Sequence, residues 1–124
     1  MDSWKTAQLG RTNLRVGRLG LAASYGADER CVRLAFERGV NYLYWGSRRT
    51  GGFAAGLRGL WPHRDEFVLV IQSYTRVAAL LPWSLKRALR SLAMDYADIL
   101  LLGMWNKNVP SSIFEQALQL REGD

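Results

Sequence analysis

Short apolar runs alternate along the chain with longer stretches in which apolar residues recur every three or four positions. The first pattern is typical of buried β-strands and the second of amphipathic helices. The runs that predict strands are 18–22, 40–45, 66–72 and 98–102, and a predicted helix follows each of them. This alternation predicts an α/β fold of four parallel βα units.

A β-hairpin is predicted ahead of the first unit. Residues 8–9 and 14–16 flank the stretch Gly10-Arg11-Thr12-Asn13. Glycine and asparagine tolerate the positive φ that tight turns require, so the two flanking segments can pair across this stretch.

Capping residues and proline indicate where the helices begin. Asp28 precedes the first predicted helix and is a favoured N-cap residue. Segment 51–60 has helical spacing of its apolar residues, and Pro82 suits the first turn of the next helix. Ser112 followed by Glu115 predicts a capping box for the last helix.

The composition agrees with one folded domain spanning residues 1–124, since 48% of residues are hydrophobic and 23% are charged. The longest apolar runs, 67–71 and 99–102, are far shorter than the roughly 20 residues of a membrane-spanning helix. We therefore expect a cytoplasmic protein. One cysteine and one histidine cannot form an internal disulfide or a common zinc site, so we name no metal ligand. We expect Cys31 to be a buried, inert thiol.

Four local strings carry a closer resemblance. They are Leu9 to Leu21 (LGRTNLRVGRLGL), Gly39 to Tyr42 (GVNY), Arg64 to Glu66 (RDE) and Asp95 to Leu100 (DYADIL). In this order and at these spacings they resemble the N-terminal half of an aldo-keto reductase, over residues 5–123. The resemblance implies half of a (βα)8 TIM barrel, with four parallel βα units behind an N-terminal β-hairpin.

The same resemblance implies that the reductase chemistry is missing. The family reduces carbonyls with NADPH through an Asp, Tyr, Lys and His tetrad, and its positions fall here on Tyr44, Arg49, Gln72 and Gly103. Carbonyl reduction needs a proton donor of tuned pKa, and an amide cannot lower a tyrosine pKa as an ammonium does. The family's cofactor-binding residues lie mainly in the second half of the barrel. We therefore expect no reductase activity, no functional NADPH site and no other cofactor.

The loops after the four predicted strands are rich in hydrogen-bond donors and contain no acid. Ser47, Arg48, Arg49 and Thr50 precede a Gly-rich helix start, where backbone N–H groups and the helix dipole favour an anion. The leading hypothesis is therefore a half barrel that binds a small anionic, phosphate-type ligand at its strand ends. The candidate binding residues are Arg48, Thr50, Arg76, Lys107, Tyr25 and Trp105.

Other functions remain open at this point. One is a hydrolase or phosphatase in which Ser47 or Tyr44 is the nucleophile and Arg49 stabilises charge, although these loops offer no general base. The chain can also be a fragment of an NADPH-dependent oxidoreductase, an assembly module, or simply a fold with solvated loop arginines. The net charge of +6 suits nucleic acid, but the basic residues are spread along the chain without a clustered stripe.

Half a barrel leaves two strand edges and an apolar inner face without partners, because four strands cannot close a (βα)8 barrel. We expect Leu43, Val68, Val70 and Leu101, or their immediate neighbours, to form this inner face. A second copy of the chain could cover it, so we expect a homodimer or a higher homo-oligomer.

Overall fold

A computed structural model describes residues 6–46 and 49–123 and confirms the α/β half-barrel architecture. Strands β1 (Thr6–Gln8) and β2 (Arg15–Gly17) form the antiparallel hairpin. The parallel sheet follows in the order β3 (Leu21–Ala22), β4 (Tyr42–Trp45), β5 (Val68–Ser73) and β6 (Ile99–Leu102). The helices are α1 (Glu29–Glu37), α2 (Gly51–Gly59), α3 (Leu81–Leu92) and α4 (Ser111–Gly123).

The starts of α1 and α2 follow from their capping residues. Asp28 Oδ1 accepts a hydrogen bond of 2.9 Å from the Cys31 N–H, which confirms the predicted cap of α1. Thr50 Oγ1 accepts the Phe53 N–H at 3.4 Å and caps α2. Gly56 lets α2 lie close to α1, since a Cβ at that position would meet Val32 Cβ at 2.6 Å.

Two local predictions were wrong. Helix α4 already contains Ser112, because the Pro110 carbonyl accepts the Phe114 N–H at 3.1 Å and so begins the helical bonding two residues earlier. Ser112 is therefore not an N-cap. Cys31 is exposed, because the face of α1 that packs inward carries its neighbour Val32.

Strand register sorts the side chains of the sheet onto two faces. Tyr44 pairs with Val70, so both lie on the inner face, whereas Leu43 pairs with Leu69 on the face that the helices cover. The prediction that Leu43 lies on the inner face was therefore wrong, because a shift of one residue along a strand reverses the face. Its neighbours Tyr42 and Tyr44 are inner residues. Leu43 is fully buried in the core under the helices.

The hairpin and one arginine hold the amino end of the sheet. Val16 of β2 packs with Val68 and Val70 beneath the inner face. Arg64, which is buried, donates to Asp98 Oδ2 at 2.9 Å. The same carboxylate oxygen accepts the Leu69 N–H at 2.8 Å, so this ion pair fastens the start of β6 to β5. Among the helices that the structure describes, none is long and apolar enough to cross a membrane.

Candidate functional site

Four positions that the resemblance assigns to the reductase tetrad converge at the carboxyl end of the sheet. Tyr44 Oη donates to Gln72 Oε1, and Tyr74 Oη donates to the same oxygen at 3.0 Å. Arg49 Nη2 donates to the Gln72 backbone carbonyl at 2.7 Å. The Gln72 amide also fills the space that a Cβ at Gly103 would occupy. The site is thus organised around a neutral amide.

The charge at this end of the sheet comes from Arg49. Burial lowers the pKa of its guanidinium below the ordinary value, and the nearby Arg87 cation acts in the same direction, while Tyr74 and Tyr44 act in the opposite one. An arginine stays protonated at neutral pH, so this pKa shift measures the cost of holding a partly desolvated cation. A bound anion would offset that cost.

A groove of about 400 Å³ extends from Arg49 between α2 and α3, over the helix face of β4. Three arginines line it, namely Arg49, Arg58 and Arg87. No Asp or Glu is among its lining residues in the described part of the chain. The groove is therefore cationic, and two indole rings, those of Trp45 and Trp83, form part of its wall.

Each guanidinium in the groove is held by a neighbouring group. Arg58 Nη1 donates to the Ser91 carbonyl at 2.8 Å. The Arg87 guanidinium carbon lies 5.2 Å from the Trp83 ring centroid, and that of Arg49 lies 6.0 Å from the Trp45 ring. Each guanidinium can still donate hydrogen bonds to a ligand, since it carries five N–H donors.

The amino end of α2 opens into the same groove through Thr50 and Gly51. The first N–H groups of a helix have no acceptor within the helix. In α2, the Thr50 hydroxyl accepts the hydrogen bond of the Phe53 N–H. The amides of Gly51 and Gly52 precede it in the first turn. They and the helix dipole add partial positive charge to a groove that is already cationic.

Trp45 contributes a buried donor to the groove wall. Its side chain is 3% exposed and stacks on Phe53, with ring centroids 6.1 Å apart. The indole Nε1–H has no hydrogen-bond partner in the structure as described. Buried indole N–H groups usually have an acceptor, so this unpaired donor is an exception inside the core.

Solved structures of similar fold identify the scaffold, whereas no protein-family model matches the sequence. The chain matches an aldo-keto reductase from Bacillus halodurans with a TM-score of 0.73 and 26% identity, over 97% of this chain and 44% of that one. The chain folds as the N-terminal half of an aldo-keto reductase.

Two further reductases show the same partial coverage. An aldo-keto reductase from Klebsiella pneumoniae, solved in complex with NADPH, matches with a TM-score of 0.68 and 24% identity, over 88% of this chain and 43% of its own. The thermostable aldo-keto reductase Tm1743, solved with the inhibitor epalrestat, matches with a TM-score of 0.72 and 23% identity, over 95% and 50%. The chain spans about half the length of these reductases.

The aldo-keto-reductase-like half barrel brings together only some of the predicted site residues. Arg49 and Thr50 line the groove, whereas Ser47 and Arg48 lie outside the described residues. The other candidates, which do not line the groove, are Tyr25, Tyr44, Arg76, Trp105 and Lys107.

Arg76 binds its own loops. Its guanidinium donates to the carbonyls of Tyr74, Gly103 and Met104 at 3.0, 3.2 and 2.7 Å. It also lies 4.0 Å from the centroid of the Trp105 ring. These contacts join the loop after β5 to the loop after β6. Tyr25 and Lys107 are exposed elsewhere on the surface.

The sequence analysis missed Arg58, Trp83 and Arg87, because it searched only the loops after the strands. A signal was nevertheless present. On α3, Ser84, Arg87 and Ser91 recur at helical spacing and form a polar stripe beside Trp83. Residues 6–46 and 49–123 contain no cluster of His, Cys, Asp and Glu that could hold a metal ion.

Proposed function

We propose that this chain is an aldo-keto-reductase-like half barrel that binds a small anionic, phosphate-type ligand and does not reduce carbonyls. The observation that carries the proposal is the groove in which Arg49, Arg58 and Arg87 lie at the amino end of α2 with no acidic residue among the described lining. Guanidinium groups and helix amino ends are both favoured phosphate partners.

Counterions for the groove arginines are missing from the described part of the chain. Among the ion pairs of the described residues, none includes Arg49, Arg58 or Arg87. Burial is the main cause of the lowered pKa of Arg49, and the Arg87 cation adds to it. Like charges in a partly desolvated groove repel one another, and a dianionic phosphate would relieve this repulsion.

The tetrad positions do not fit the reductive use of NADPH. Gly103 supplies no side chain, Gln72 supplies a neutral amide, and the Tyr44 hydroxyl donates to that amide. The lysine position of the tetrad is thus filled by an amide that carries no positive charge. The proposed function therefore includes no hydride transfer. Tight binding in an NADPH fluorescence titration would overturn this part of the proposal.

A phosphate-ester hydrolase is the alternative in which the same groove turns its ligand over. Hydrolysis needs a nucleophile with a general base beside it, and the described lining of the groove contains neither His nor a carboxylate. Binding without turnover is therefore favoured. Hydrolysis of p-nitrophenyl phosphate that is abolished by Arg49→Ala would establish the alternative.

Thermal unfolding with inorganic phosphate tests the binding proposal. At phosphate concentrations about tenfold above Kd, linkage adds about 1.4 kcal/mol to the free energy of unfolding, or roughly 4–6 °C in Tm at this chain length. Arg87→Ala should abolish this shift. Arg33→Ala removes an exposed charge outside the groove and should keep it. An unchanged melting curve up to millimolar phosphate would count against the proposal.

We also propose that a second copy covers the inner face. Strands β3 and β6 are the edges of the described sheet, and Leu101 of β6 is 38% exposed on the inner face. A cavity of about 510 Å³ lies open beside β3 and the hairpin. Two copies supply the eight strands of a closed barrel. Light scattering should give about 28 kDa, twice the chain mass of 14.0 kDa, and a monodisperse species of 14 kDa at micromolar concentration would contradict pairing.

A further inference from the structure

The groove between α2 and α3 combines cationic and aromatic walls. Trp83 is 56% exposed on α3, and Arg87 follows one helical turn later on the same helix. An exposed tryptophan face is a sequence-tolerant platform for stacking planar rings. The Arg87 guanidinium carbon lies over the Trp83 ring, 5.2 Å from its centroid, so an aromatic surface and a positive charge adjoin each other in the groove.

The size of the groove also exceeds what an inorganic anion needs. Its volume of about 400 Å³ falls within the 300–1,000 Å³ of typical small-molecule sites. A single phosphate has five heavy atoms and leaves most of that space empty. The Ser84 and Ser91 side chains line the remaining wall and offer hydroxyl groups for a polar linker such as a ribose.

We infer that this groove is a mononucleotide site, in which a phosphate group lies among Arg49, Arg87 and the amino end of α2 and a planar base stacks on Trp83. The inference rests on the proposed anion binding and specifies its ligand class. The site lies in the helix layer over β4 and shares Arg49 with the cluster at the strand ends, because Arg49 also donates to the Gln72 carbonyl.

The charge and the exposed ring of the groove support a ligand rather than a merely solvated surface. The arginines have no carboxylate partner among the described residues. The Trp83 ring on the same wall is 56% exposed. A phosphate ester with a planar ring would pair with both features.

Calorimetric titration with AMP, ribose 5-phosphate and adenosine separates the two parts of the ligand. We expect AMP to bind about tenfold more tightly than ribose 5-phosphate, which is the usual effect of one stacked base. Trp83→Ala should abolish that difference by weakening AMP binding much more than ribose 5-phosphate binding. Trp83→Leu, which keeps apolar bulk without the ring, should do the same if the alanine variant folds poorly. Trp61→Ala removes another exposed tryptophan outside the groove and should bind AMP normally.

The outcomes distinguish this inference from the proposal on which it rests. Equal affinity for AMP and ribose 5-phosphate would overturn the nucleotide site and leave anion binding intact. Binding of adenosine alone, or of none of the three compounds, would overturn both. An AMP preference that survives both Trp83 variants would also refute stacking at this position.

Discussion

Replacing Asp98 by alanine takes away the carboxylate that pairs with the buried Arg64 guanidinium. The two side chains are 7% and 14% exposed, and Arg64 Nη2 lies 2.9 Å from Asp98 Oδ2. In the variant, Arg64 keeps its bonds to the carbonyls of Phe67 and Tyr96, at 3.1 and 2.9 Å, but loses its counterion. The Leu69 N–H loses its acceptor as well.

The expected loss of stability follows from the lost ion pair and the lost hydrogen bond. Removing one partner of a buried ion pair costs about 3–5 kcal/mol, because the other charge stays buried and uncompensated. This is a large share of the roughly 5–15 kcal/mol that stabilises a typical domain. Asp98→Asn also removes the counterion but keeps an acceptor oxygen for Arg64 and for the Leu69 N–H, so it should cost less than the alanine variant. Urea unfolding followed by far-UV circular dichroism measures each loss.

A double variant tests the physical reason. Arg64→Met with Asp98→Ala removes both charges, and apolar replacement of a buried pair is often close to neutral. The double variant should therefore be more stable than Asp98→Ala alone. An uncompensated buried charge is not the cause if Asp98→Ala lowers the free energy of unfolding by less than about 1 kcal/mol, or if the double variant is less stable than the single one.

Three further predictions concern the helices and the strand ends. Gly56→Ala should lower the free energy of unfolding in urea by about 1–3 kcal/mol, because α1 leaves no room for a methyl group. Gly59 faces open space, so Gly59→Ala should raise the free energy of unfolding by up to about 1 kcal/mol. Gly103→Ala should destabilise in the same assay, and Gln72→Ala should rescue it by removing the amide that fills the space. The hydrogen bond from the Cys31 backbone N–H lowers the pKa of Asp28 in the folded protein below the ordinary value of 3.8. The Asp28 carboxylate therefore stabilises the fold fully above pH 3.8, and this stabilisation is lost as the pH falls through the lowered pKa. Acid unfolding of Asp28→Asn should lack this component, and an unchanged acid transition would contradict the capping role.

The fold was predictable because its signals are local. Alternating apolar runs and helical stripes mark each βα unit, and Asp28 caps α1 as its residue type suggests. The face of Leu43 was not predictable in the same way, since an all-apolar strand gives no alternation from which to assign its two faces. The start of α4 was not predictable either. Residue type favours a cap at Ser112, but the first helical hydrogen bond is accepted by the Pro110 carbonyl, which any residue could supply.

The candidate site was predictable only in part. Arg49 and Thr50 stand before α2 in the sequence, so loop chemistry alone indicated them. Arg58 and Arg87 belong to different helices, and only the packing of α2 against α3 brings them to one groove. Arg76 is a donor-rich loop residue like Arg49, but its donors are taken up by loop carbonyls that no sequence pattern reveals.

Two-dimensional 1H–15N NMR during a phosphate titration tests anion binding in the groove, because it observes the N–H groups at the amino end of α2 and in the groove wall. We expect saturable shifts of the Gly51 and Gly52 amides and of the Trp45 indole N–H, all three lost in Arg87→Ala. If phosphate leaves these three resonances in place, or shifts them equally in Arg87→Ala, the groove is not an anion site.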